Sequence, residues 1–148
     1  MEKESTGACE FPKFNAPSQE ISELLARTKN IAVVGLSPNP DRPSFGVARY
    51  LQEQGYRIIP VNPGHKEILG EKSYPSLKEV PEPIDVVDIF RRVDAVPEIV
   101  DQAIQKKAKA IWMQEGIVHN QAAEKARQAG MIVVMNKCML KEHAARSV

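Results

Sequence analysis

Five short apolar segments, at residues 31–34, 57–61, 84–90, 110–113 and 131–135, punctuate a chain of otherwise polar and amphipathic stretches. They are rich in Val and Ile and mostly continuous rather than alternating, the pattern of strands covered on both faces. Their starts fall 21 to 27 residues apart, room for a helix and two turns between neighbours. The intervening segments carry helical periodicity. Val47, Ala48 and Leu51 share one face, with Ser44 placed as N-cap and Gly55 at the left-handed position after the last turn. Val96, Ile99, Val100, Ala103 and Ile104 form a second apolar face; Asp94 is the expected cap, Pro97 lies in the first turn, and Lys106, Lys107 and Lys109 sit near the negative end. Ala122, Ala123, Ala126 and Ala129 make a small-residue face ended by Gly130, and Ser18 is the expected cap of a helix bearing Ile21, Leu24 and Leu25.

Strands alternating with helices predict an α/β fold, a Rossmann-like three-layer sandwich around a five-stranded parallel sheet, most simply in the order 3-2-1-4-5. Two stretches fit this less well. Residues 63–83 hold several breakers and only a short helix at 76–80, and Pro60 removes a ladder hydrogen bond, which places it at a bulge or strand end. Residues 1–17 read as a flexible N-terminal tail and 18–148 as one domain.

With 148 residues the chain matches one domain and leaves little room for a second, substrate-binding lobe. A formal charge of +1 is too small to support non-specific nucleic-acid binding. No apolar run approaches the roughly 20 residues that span a bilayer, and the polar, acidic start MEKESTGACE lacks a signal-peptide pattern, so no membrane association and a cytoplasmic address are expected. Cys9 and Cys138 show no metal or disulfide spacing and are expected as reduced thiols.

In an open parallel sheet, ligands bind outside the carboxyl ends of the strands, so the loop after the first strand matters most. It reads Gly35-Leu36-Ser37-Pro38-Asn39-Pro40-Asp41-Arg42-Pro43-Ser44-Phe45-Gly46. Gly35 permits a tight turn, Ser37 and Ser44 offer hydroxyls, Arg42 offers a cation, and amides at the helix start attract an anion such as a pyrophosphate. The second glycine of G-x-G-x-x-G is replaced by Ser37 and the loop is longer. The end of the second strand, Val61-Asn62-Pro63-Gly64-His65-Lys66, lacks the acid that NAD binders place on the ribose and offers Lys66 instead. Phosphates at both places fit these residues better than a nicotinamide dinucleotide does.

The segments VGLSPNPDRPSFGVARYLQEQGYRIIPVNP, IDVVDIFRR, WMQEGI and VVMNKCMLKEH, in that order, closely resemble the stand-alone CoA-binding domain proteins, relatives of the N-terminal domain of the succinyl-CoA synthetase α subunit. The resemblance covers about residues 31–143. It implies a site for coenzyme A or an acyl-CoA, with the pyrophosphate on the loop from Gly35 to Gly46 and the adenosine 3′-phosphate near Asn62, Pro63 and Lys66. Phe90 and Arg91 would flank the nucleotide, and Gln114 and Gly116 would line the crevice. One departure is Asn136-Lys137-Cys138, where many relatives carry Asp-Arg-Cys; the positive charge is kept and the acid is not.

No catalytic constellation stands out. His65, His119 and His143 fit surface or capping roles, and Asp85 and Asp88, three apart on a strand, face opposite ways. Glu115 is a lone carboxylate at the crevice, Arg92 is expected in solvent with Arg91 turned to the ligand, and Trp112 fits the core. Cys138 fits a small buried hydrophobe, or a thiol able to pair with that of coenzyme A. The expected function is therefore binding without catalysis, as an accessory or regulatory protein acting alone, as a homodimer, or with an acyl-CoA-using enzyme. An NAD(P)-dependent oxidoreductase and a redox sensor working through Cys138 are the alternatives.

Overall fold

The computed structural model describes residues 10–146; Cys9 and the first part of the expected tail lie outside the described residues. In chain order the elements are α1 (Ser18–Arg27), β1 (Asn30–Val34), α2 (Pro43–Glu53), β2 (Arg57–Val61), β3 (Glu67–Ile68), β4 (Glu71–Lys72), β5 (Val86–Ile89), α3 (Val96–Gln105), β6 (Ala110–Met113), α4 (Asn120–Gln128), β7 (Ile132–Val134) and α5 (Met139–Arg146). All five apolar segments are strands of one parallel sheet, and β3 and β4 add a small antiparallel hairpin.

The sheet order is β2-β1-β5-β6-β7, which in the five long strands is 2-1-3-4-5 and corrects the expected 3-2-1-4-5. Pro60 supplies a physical reason. Its carbonyl accepts the Tyr74 N–H at 3.0 Å on the side away from β1, and a strand residue's N and O point the same way, so the missing N–H also faces outward. A third strand on that side would lose a ladder bond at residue 60. Tyr74 bridges the edge, its carbonyl taking the Asn62 N–H at 2.8 Å. β5 instead pairs with β1, from Ile31 against Val86 to Val34 against Ile89.

Each face of the sheet is covered by helices. Ile21, Leu24 and Leu25 of α1, Val47, Ala48 and Leu51 of α2 and Met139 of α5 pack with Ile31, Val33, Val86 and Trp112 on one side. Val96, Ile99, Val100 and Ala103 of α3 and Ala122, Ala123 and Ala126 of α4 pack with Ala32, Val87, Ile89 and Ile111 on the other. The predicted faces are those buried, with Ala129 exposed beyond the end of α4.

Several helix starts differ from expectation. Arg42, not Ser44, is the N-cap of α2, with Pro43 in the first turn and Ser44 buried behind it. Asp94 sits in a 3-10 turn ahead of α3, whose N-cap is Ala95, and Ser18 follows Pro17 inside α1. Residues 76–80 form only a 3-10 turn at Leu77–Glu79. The stretch 10–17 is not a loose tail: Ala16 N–H donates to Val133 O at 3.1 Å, and Asn15 exchanges bonds with the Met135 backbone at 2.7 and 2.9 Å.

Candidate functional site

Strand order reverses between β1 and β5, so the loops leaving their carboxyl ends diverge and open a crevice there. A cavity of 590 Å³ occupies it, walled by Gly35, Ser37, Arg42 and Ser44 after β1, Phe90 and Arg91 after β5, and Gln114 after β6. All seven were singled out in the sequence. Pro43, Val47, Arg92, Glu115, Ile117 and Cys138 complete the wall. Arg92 thus borders the cavity beside Arg91, because the chain bends at the end of β5 instead of continuing extended. It is largely exposed and pairs with Asp94 at 3.3 Å.

The geometry of the first loop is fixed from within. Ser44 Oγ accepts the Ser37 N–H at 3.0 Å, Ser37 Oγ accepts the Asn39 N–H at 3.0 Å, and Asn39 Oδ1 accepts the Asp41 N–H at 2.9 Å. The amides of Ser37, Asn39 and Asp41 are therefore already bound and not open to hold an anion. The two hydroxyls take over that role: each accepts an N–H and retains its own proton to donate. Gly35 has φ +89°, and a Cβ there would lie 2.2 Å from Phe90 O and 2.8 Å from Arg91 Cδ. The glycine thus lets the end of β5 pass close to the loop and seats the Arg91 stem over it.

Other predicted residues stand off the cavity. Leu36 is fully buried, and its carbonyl accepts Asn62 Nδ2 at 2.8 Å, while Asn62 Oδ1 takes the Gly64 N–H at 2.8 Å. Asn62 is therefore a brace between β2 and the loop. Gly46 lies inside α2 away from the wall, and the Gly116 N–H donates to Asn136 Oδ1 at 2.7 Å. That bond shows what position 136 does, and either Asn or Asp supplies the acceptor. Pro63 borders a separate 180 Å³ hollow that shares Arg91 and is walled on its far side by Ser76, Glu98 and Gln102. Lys66 is exposed nearby, at the foot of the hairpin.

Among the described residues neither the Arg42 nor the Arg91 side chain forms an ion pair or hydrogen bond, so both charges are free for a ligand. Glu115 is neutralised by Lys141 at 3.0 Å, a hydrogen bond that raises the Lys141 ammonium above its ordinary range. Cys138 is buried within the apolar layer and lines the cavity wall. Trp112 is fully buried and donates to Lys137 O at 2.8 Å. His119 caps α4 by accepting the Ala122 N–H, His143 bonds Tyr50 Oη at 2.8 Å, and none of the three histidines lines the cavity. Burial would raise the Asp85 carboxyl, but backbone N–H bonds from Asn30 and Lys29, with Lys109 beside it, hold it below its ordinary value. Asp88 is fully buried, and that burial pushes it up to about 7 against the lowering effect of the Gln114 amide. No group of three or more metal-ligating side chains occurs among the described residues.

These features define a class: a Rossmann-like α/β domain with a cationic, hydroxyl-lined crevice at the switch point of a parallel sheet. The chain belongs to the CoA binding domain family, whose model matches residues 29–144. It is 43% identical over 130 residues to the uncharacterized protein YneT of Bacillus subtilis (strain 168), covering 88% of this chain and 96% of that one. A hypothetical protein of Pyrococcus horikoshii OT3 superposes with a TM-score of 0.87 at 42% identity, with 98% of each chain covered. The α subunit of ADP-forming acetate–CoA ligase I from Pyrococcus furiosus is 32% identical over 128 residues, which span 76% of this chain but only 28% of the ligase subunit. Kinship with such ligases thus extends over a minor part of their length. Among the described residues no helix is long and apolar enough to cross a membrane.

Proposed function

We propose that this protein binds coenzyme A or an acyl-CoA in the 590 Å³ cavity, as an accessory or regulatory module of the cytoplasm. The observation that carries this reading is the convergence of two guanidinium groups without partners among the described residues, Arg42 and Arg91, with two hydroxyls whose protons are free to donate, Ser37 and Ser44. Phosphate oxygens near neutral pH are acceptors, and such a set suits a pyrophosphate. The shared Arg91 links this cavity to the hollow beside Pro63, with Lys66 near, which suits an adenosine end carrying a further phosphate. Gln114, Ile117 and Cys138 at the other end suit an uncharged tail. A nicotinamide dinucleotide is a poorer match: residues 61–66 contain no acid for a ribose, and the Asn62 side chain is spent on bracing the loop.

Thermal unfolding with coenzyme A, acetyl-CoA, NAD, NADP and ATP in parallel tests the reading. A ligand at 100 times its dissociation constant adds about 2.7 kcal/mol, or roughly 5 to 10 °C for a domain of this size. The two CoA compounds should raise the midpoint by that amount and the dinucleotides should not. A shift with NAD or NADP alone would replace this reading with the oxidoreductase one.

A further inference from the structure

Along the sheet edge the cavity is lined by Arg42, Arg91 and Arg92 after β1 and β5, and by Gln114, Ile117 and Cys138 after β6 and β7, with Glu115 paired to Lys141 at the rim. Gln114 is almost wholly buried, and its Nε2 donates to Asp88 Oδ1 at 2.6 Å. Its Oε1 has no partner among the described residues and is the acceptor the amide has left to offer the cavity, beside one remaining N–H. Asp88 Oδ2 is buried with no partner among the described residues. A carboxylate with one amide donor and no cation is a costly buried charge.

We infer that Asp88 is a positioning residue which sets, through Gln114, whether the β6 end of the cavity presents a hydrogen-bond acceptor or donors only, and so whether a thiol or a thioester is held there. The inference rests on the coenzyme A reading of the same site. An ionised Asp88 requires the Gln114 NH2 group, leaving Oε1 to accept from an S–H. A protonated Asp88 can donate from Oδ1 to Oε1, which turns the amide over and sends its N–H groups toward a carbonyl acceptor. In that state Oδ2 is an uncharged carbonyl, cheaper to leave unpaired. The 2.6 Å separation accommodates both, falling just below the usual N–H···O range of about 2.7–3.2 Å and inside the O–H···O range of about 2.5–3.0 Å.

The surroundings allow this proton to move near neutrality. β1 brings Val33 beside Asp88 and β6 brings Trp112, whose N–H is taken by Lys137 O. In the helical layer on that face the titratable groups are Cys138 and the cluster of Tyr50, Tyr56 and His143 between α2 and α5, and the pair Glu115–Lys141 lies at the exposed rim. None of these shifts Asp88, whose carboxyl is raised to about 7 by burial and lowered only by Gln114.

The test is calorimetric titration with coenzyme A and acetyl-CoA at pH 5.5 and 7.5. The phosphates titrate alike in both ligands and cancel in the affinity ratio. The ratio of acetyl-CoA to coenzyme A affinity should fall about fivefold from pH 5.5 to 7.5, the scale of one net hydrogen bond. It should become independent of pH in Asp88→Asn and in Gln114→Met. In ligand-free protein, the Gln114 side-chain NH2 resonances should shift with a midpoint near the Asp88 value. If both ligands bind with a ratio that ignores pH, or if Asp88→Asn keeps the wild-type dependence, the inference fails while the coenzyme A reading stands. If neither ligand binds, both fall.

Discussion

At the scale of single residues, the departures from ordinary chemistry gather at the carboxyl ends of β1, β5 and β6. Gly35 has no room for a Cβ against Phe90 O, and Asp88 is a carboxyl with one hydrogen bond in an apolar layer. Asp88 should leave a signature in stability. Its unfolded value is about 3.9 and its folded value about 7, so between those pH values the native state holds more protons than the unfolded one. Stability therefore declines as pH rises through that window, by up to about 4 kcal/mol, and levels off above it. Asp88→Asn removes this decline, at the expense of an unpaired buried N–H worth about 1–3 kcal/mol. The melting temperature of the variant relative to wild type should accordingly increase from pH 5 to pH 8. A difference that stays constant across that range would mean Asp88 does not titrate there. Asp88 in the sequence reads as one of two carboxylates on opposite faces of a strand, and nothing in the pattern marks its burial beside Gln114. That pairing joins residues 26 apart on neighbouring strands.

At the scale of elements, periodicity located the strands and buried helix faces because each depends on local sequence repeated over several residues. Helix starts were less legible. Ser44, Asp94 and Ser18 have the side chains that caps favour, but Pro43 and Pro97 sit in the first turns of their helices and Pro17 precedes α1. The Ser44 hydroxyl meanwhile serves the Ser37 amide seven residues away. Asn62 was similarly assigned to a ligand, whereas its amide braces β2 against the loop after β1. Asn62→Ala removes its bonds to Leu36 O and Gly64 N, with an expected loss of about 1–2 kcal/mol. Amide exchange in residues 36–42 should speed up more than in the strands. Protection in that loop equal to wild type would show that the brace is dispensable.

At the scale of the whole molecule, the order of strands decides what becomes a site. Placing β5 beside β1 brings Phe90 and Arg91 across from the Gly35 loop, and continuing through β6 to β7 brings Gln114 and Cys138 to the same crevice. The loop residues were readable because they are contiguous, whereas Arg92 and Ile117 join the wall only through topology. The fold class needed only the alternation of elements; the strand order needed the outward face of Pro60, which no local pattern displays. The central claim is that this crevice holds the phosphates of coenzyme A through Arg42 and Arg91. Titration calorimetry of coenzyme A into wild type and the double variant Arg42→Ala/Arg91→Ala, at low and high salt, tests it most directly. We predict at least tenfold weaker binding by the variant, with its unliganded melting temperature unchanged and a reduced sensitivity to salt, since each lost charge-assisted bond is worth about 1.5–3 kcal/mol. Equal affinity in the two proteins would contradict the account.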